Sequence, residues 1–229
     1  QVEIAYRADD VARIIAEGKR VYGIGIENGY AIGHDLSMVE EYYRLGTRYI
    51  TLTHSGHNDI GDSSSPRGGP EEEWGGLSEF GEEVVREMSR LGIMVDLSHV
   101  SDNTARDVFA LTEAPVIASH SGARGVADVS RNLSDELLLL LQENGGVIQI
   151  VALGGYLQVD PPEKTEAVQA LREEMGLTSR EAYRAMTDEQ RAEYESRVDE
   201  LNTQWPEPDV STFVDHIDYV VDLIGVDHV

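Results

Sequence analysis

The 229-residue sequence predicts an α/β chain of the parallel-barrel class, and three observations lead there. Apolar runs rich in β-branched residues alternate with segments of helical period. The helical segments end in glycine directly before the next run, at Gly46, Gly92 and Gly145, the left-handed C-cap signal. Four successive runs end in a polar residue able to bind metal or substrate: Glu27, His54, His99 and His120. Strand, helix and strand joined by short links give parallel strands with crossover helices. Alternation alone also fits a doubly wound sheet. The four terminal polar residues favour the barrel, where the carboxyl ends of all strands face one rim and that rim carries the active site.

In order along the chain, residues 21–28 (VYGIGIEN) read as a strand, followed by a helix around DLSMVEEYYRLG. A strand over 48–54 comes next, then the glycine- and serine-rich loop GDSSSPRGGP. Residues 77–92 form a helix with Phe80, Val84, Val85, Met88 and Leu91 on one face. IMVDLSH (93–99) is a strand, Ser101 opens a helix, and PVIASH (115–120) is the next strand. LSDELLLLLQENG is helical and GVIQIVA (146–152) extended. Residues 155–209 break the rhythm with polar, charged sequence and two candidate capping boxes, at Thr178/Glu181 and Thr187/Gln190. They read as a helical insertion within one partial barrel domain spanning 1–229. A last helix over 211–225 leads into Asp227-His228-Val229, which reads as the start of a further strand.

Composition bounds the function. Forty-three acidic against 18 basic residues give a net charge of −25, so no basic footprint for nucleic acid exists and an anionic membrane surface is disfavoured. Lys19 and Lys164 are the only lysines; acid-rich, lysine-poor sequence fits equally a solvated anionic surface such as a salt-adapted protein carries and an ordinary acidic protein. With no cysteine, disulfides and cysteine-ligated zinc are excluded. No stretch reaches the ~20 apolar residues of a membrane span.

A carboxylate with two imidazoles suits Zn²⁺, and a carboxylate can bridge two ions. Glu27, His99 and His120 are the candidate metal ligands. His54 could be a ligand or donate a hydrogen bond to a substrate oxygen. His57 and Asp59, near the same rim, read as loop-ordering, and His216, inside a helix, as structural. His34 and His228 carry no assignment. Arg131, eleven residues past His120, is equally a surface arginine or a clamp for a carboxylate.

These stretches also resemble a known family. GIENGYAIGHDLSMVEEYYRLGTRYITLTHSGHNDIGDS, GLSEFGEEVVREMSRLGIMVDLSHVS and PVIASHSGARGVADVSRNLSDELL closely resemble the membrane (renal) dipeptidases, peptidase family M19, in their bacterial branch. The resemblance implies a (β/α)8 barrel holding two zinc ions, which cleaves dipeptides, often with a D-residue second, through a zinc-bound hydroxide. It implies that Glu27 bridges the zincs and that His99 and His120 bind the second one. His54 becomes the substrate-binding histidine that supports the tetrahedral intermediate, and Arg131 the holder of the substrate carboxylate. Family members often form homodimers, and many are exported or anchored, so an exported or cell-envelope location is favoured.

Two family features are absent: a His-x-Asp pair on the first strand and a Gly-x-Asp-Phe-Asp-Gly-like motif. The chain therefore reads as the middle of a dipeptidase, expected alone to hold at most one zinc and to show negligible peptidase activity. A hydrolase of another amide or lactam, or a non-catalytic barrel body, would share the remaining residues.

Overall fold

A computed structural model describes residues 1–66 and 69–229, so the predicted loop over 61–70 lies partly outside the described residues. The centre of the molecule is a five-stranded, wholly parallel sheet of β3 (Ile24–Glu27), β4 (Thr47–Thr51), β5 (Met94–Asp96), β6 (Ile117–Ser121) and β7 (Val147–Ile150). The spatial order is the chain order, β3-β4-β5-β6-β7. Every crossover therefore steps one strand in the same direction, as in a barrel, whereas a doubly wound sheet reverses at a switch point. Within the described residues the barrel is not closed.

The crossover helices are α2 (Ser37–Leu45), α3 (Glu79–Leu91), α4 (Asp102–Leu111) and α5 (Asp135–Asn144). Gly46, Gly92 and Gly145 end three of them with φ of 108°, 81° and 78°, a conformation open to glycine because it has no Cβ to clash. Ser78, Ser101 and Ser134 open α3, α4 and α5 by accepting from the amide three residues on. On α3 the residues Val84, Val85 and Met88 are fully buried against the sheet, with Phe80 and Leu91 at the margin. Burying side chains of this size contributes ~1.5–3 kcal/mol each. Ile50 and Leu52 of the β4 region, Val95, Ala118 and Ile148 meet them from the strands. In α5 the leucine run divides by period: Leu137, Leu138 and Leu141 point inward while Leu139 is exposed.

Three local expectations are corrected. Residues 21–28 are two strands: β2 (Arg20–Tyr22) pairs in parallel with β1 (Val2–Ile4), and only β3 joins the main sheet. β1 and α1 (Ala8–Ala16) supply that partner, and salt bridges from Lys19 and Arg13 to Glu3 tie the unit together. Ser179, not Thr178, caps the helix Arg180–Arg184, because that helix starts one residue later than the box requires. The Thr187/Gln190 box is formed. Val226–His228 is a single 3-10 turn rather than a strand, with His228 Nδ1 2.8 Å from the Gly146 carbonyl oxygen. The helical stretch after β7 begins at Gly154 and comprises α6 (Gly154–Leu157), α7 (Pro162–Glu174), α8 (Arg180–Arg184) and α9 (Asp188–Gln204). Lys164, almost fully buried in α7, is held by Asp160 and Glu207 at 2.9 and 2.8 Å. α10 (Val210–Ile224) then packs across α5. No helix among the described residues is long and apolar enough to cross a membrane.

A candidate metal and carboxylate site at the strand ends

The four terminal residues meet at one rim. Glu27 is the last residue of β3, and the Nε2 atoms of His120, His99 and His54 lie 3.2, 3.3 and 3.5 Å from its Oε1. His99 and His120 approach to 2.9 Å between their Nε2 atoms, and the His54 ring stacks on His99 with centroids 4.0 Å apart. One ligand atom each from Glu27, His54 and His99 falls within a mutual 4.8 Å. Tetrahedral zinc with bonds of ~2.0–2.1 Å sets its ligand atoms about 3.3 Å apart. The Glu27–His99 and Glu27–His120 pairs show that spacing, the His99–His120 pair is shorter at 2.9 Å, and His54 stands slightly farther out.

The local chain explains why these side chains converge. Asn28, with φ of 82°, turns the chain sharply after Glu27, and the Gly29 amide donates to the Leu52 carbonyl oxygen. Asn58 Nδ2 donates both to Asn28 Oδ1 and to Leu52 O, which sews the exit of β3 to the exit of β4. Among the described residues His99 is the second non-glycine residue with positive φ, at 73°. Such a conformation costs on the order of 1–3 kcal/mol and persists where the surroundings hold it. Here Ser64 N and Thr53 Oγ1 both donate to the His99 carbonyl oxygen.

Two imidazoles have partners behind them. His120 Nδ1 sits 2.8 Å from Ser119 Oγ and His54 Nδ1 3.0 Å from Ser55 Oγ, so in both the Nε2 edge faces Glu27. The side chain of His99 is only 7% exposed, and its Nδ1 is buried with no hydrogen-bond partner among the described residues. Burial, with Arg131, His54 and His120 nearby, lowers its pKa to about 3, which keeps it the neutral imidazole that a metal needs.

Arg131 is 6% exposed and pairs with no carboxylate among the described residues. Its Nη2 donates to the His120 carbonyl oxygen, its Nε has no partner, and the guanidinium lies 4.9 Å from the centroid of the Tyr156 ring. A buried cation in that state suits an incoming carboxylate. The arrangement thus sets a cluster of three imidazoles and a carboxylate beside a buried guanidinium.

The remaining histidines make packing and hydrogen-bond contacts outside this cluster. His57 lies between Asp62 Oδ1 and the Pro70 carbonyl oxygen, 3.0 Å from each. Asp62, fully buried, takes the amides of Glu73, Trp74 and Gly76 and folds the β4–α3 connection back on itself. The Asp59 carbonyl oxygen accepts from Ser78 Oγ, also a loop-ordering contact. His216 accepts from the Ala123 amide and faces the Leu157 carbonyl oxygen, 3.0 and 3.1 Å away. His34 stacks on Phe80. Two residues escaped the sequence reading: Tyr156, for which the sequence carries no signal, and Asp96. A lone aspartate within the apolar run IMVDL was the available sign of Asp96.

Known proteins resemble this chain in sequence and fold. Dipeptidase aclJ of Aspergillus oryzae is 47% identical over 127 residues, covering 56% of this chain and 29% of that protein. Dipeptidase tcpJ of Claviceps purpurea is 38% identical over 165 residues, covering 72% of this chain and 38% of that protein. The crystal structure of the probable dipeptidase PvdM of Pseudomonas aeruginosa superposes with a TM-score of 0.82 at 32% identity, covering all of this chain and 60% of that one. The chain therefore spans about a third of the length of those curated relatives. Together with the description "membrane dipeptidase (peptidase family M19)", whose family model matches residues 1–229 throughout, these likenesses place the chain in the M19 metallopeptidases, with the sheet as an arc of their barrel.

Proposed function

We propose that this chain carries the zinc-binding and carboxylate-binding part of a dipeptidase that hydrolyses the single peptide bond of dipeptides, including those with a D-residue at the C-terminal position. The observation that supports it most is the meeting of three imidazole Nε2 atoms on one Glu27 oxygen beside the buried Arg131, which has no carboxylate partner among the described residues. Glu27, His99 and His120 would hold the zinc, their ligand atoms already converging on one point. When bound, zinc polarises a carbonyl and brings a water within reach of ionisation near neutral pH. His54 Nδ1 lies 3.0 Å from Ser55 Oγ; with its hydrogen on Nε2, His54 would donate to the substrate carbonyl oxygen and stabilise charge developing there. Arg131 pairs with the free C-terminal carboxylate, restricting substrates to short peptides and setting the scissile bond over the histidines.

Two measurements test this. The 229-residue chain should bind one zinc in native mass spectrometry and lose it in H99A and H120A; retention by both variants refutes the ligand assignment. The protein carrying this chain should hydrolyse L,L- and L,D-dipeptides but not their C-terminal amides, while the 229 residues alone show negligible turnover. Equal turnover of the amides would overturn the role of Arg131.

A further inference from the structure

Asp96 is a charged residue in an apolar strand, and that position requires an explanation. It is fully buried on β5, with no basic side chain bound to it among the described residues. Burying an ion without a counter-charge is costly unless its lone pairs are fully engaged. Those of Asp96 are: Oδ1 accepts from the amides of Ser98 and Ser119 at 3.0 and 2.9 Å, and Oδ2 from Thr51 Oγ1 and Ser119 Oγ at 2.6 and 2.5 Å.

The consequence follows by elimination. An ionised carboxylate only accepts, so the one hydroxyl hydrogen of Ser119 goes to Asp96. Ser119 Oγ then offers only a lone pair to His120 Nδ1, 2.8 Å away. His120 must place its hydrogen on Nδ1, which leaves Nε2 bare, aimed at Glu27 and His99. The His120 amide is also held, donating to Ser98 Oγ at 2.9 Å. A histidine ligand's tautomer is commonly fixed by such a partner behind it.

We propose that Asp96 is a positioning residue: acting through the Ser119 hydroxyl, it locks His120 in the Nδ1–H form and presents Nε2 to the metal, an inference that rests on the metal-site reading above. The partner is neutral serine rather than a carboxylate in direct contact, so the anion acts one residue removed.

Two-bond ¹⁵N–¹H correlation spectra of the metal-free 229-residue chain, with His120 assigned from H120Q, read the tautomer directly and do not depend on zinc. Wild type should show Nδ1–H. In D96N the amide donates to Ser119 Oγ, freeing the serine hydrogen for His120 Nδ1, and the tautomer should invert to Nε2–H. Zinc affinity, measured by competition with a chromophoric chelator, should fall about 10- to 100-fold, the usual effect of removing such an outer partner. S119A should lose the Nδ1–H preference and S119T should restore it. T51V disturbs the same buried carboxylate but keeps the Ser119 link, so it should keep the wild-type tautomer. If D96N does not fold, the S119A and S119T pair decides. An Nδ1–H signal unchanged in D96N, or in S119A, overturns the proposal. Wild type that shows the tautomer and its inversion but holds no zinc overturns the metal reading and leaves the Asp96–Ser119–His120 chain standing.

Discussion

Replacing Arg131 with methionine should make the ligand-free chain more stable and the ligand-binding chain worse. The guanidinium is 6% exposed, has no carboxylate partner among the described residues, and leaves its Nε unbonded. An unsatisfied buried donor costs ~1–3 kcal/mol, and a buried ion several kcal/mol after relaxation. Against this stand one hydrogen bond to the His120 carbonyl oxygen, about 1.5–3 kcal/mol for a charged donor, and the Tyr156 contact, ~0.5–2 kcal/mol. Methionine fills much of the volume without the charge, so the balance favours the variant by about 1–2 kcal/mol. For a chain of this size that is a rise in Tm of roughly 2–8 °C. Loss of the carboxylate pair should cost ~2–5 kcal/mol of substrate binding, about 30- to 4,000-fold. Thermal denaturation of the metal-free chain checks the first half, and dipeptide KM in the protein carrying this chain the second. A variant less stable than wild type by 1 kcal/mol or more, or one with unchanged KM, refutes the reasoning.

Three further outcomes follow from packing and charge. A Cβ on Gly81 would lie 1.9 Å from the Ile60 carbonyl oxygen, so G81A should destabilise by about 1–3 kcal/mol in urea denaturation, despite the helix position. H216L preserves volume but strands the Ala123 amide and the Leu157 carbonyl, and should cost ~2–4 kcal/mol while zinc stoichiometry stays at the wild-type value. With a net charge of −25, raising salt from 0.1 to 1 M shortens the screening length from ~10 to ~3 Å and should raise Tm; a fall would exclude salt adaptation.

Much of this molecule was readable because its signals are local. Glycine at 46, 92 and 145 marks helix ends through backbone freedom alone, and the structure places all three in the left-handed region. Histidine at the end of an apolar run is visible as a position, so the rim was legible from His99 and His120. What escaped depended on contacts distant in sequence. The break at Gly23 arises because β1 offers Arg20–Tyr22 a ladder of its own, and three-residue strands carry no detectable period. Tyr156 reaches Arg131 from beyond β7, a meeting that no spacing encodes. Asp96 was legible as an anomaly in IMVDL, but its partners come from β4 and β6.

The parallel ladder has one more consequence. Glu27 pairs with Thr51, Thr51 with Asp96, and Asp96 with Ile117, so the depth of each site residue is counted from its neighbour's strand. A slip of one residue in any strand turns that strand's side chains to the opposite face. Glu27 would then leave the histidines altogether, and no small side-chain adjustment could return it. The rim therefore works as a vernier for the sheet: it assembles only when four strands are in phase, and a cation seated there would hold that phase against misaligned pairings.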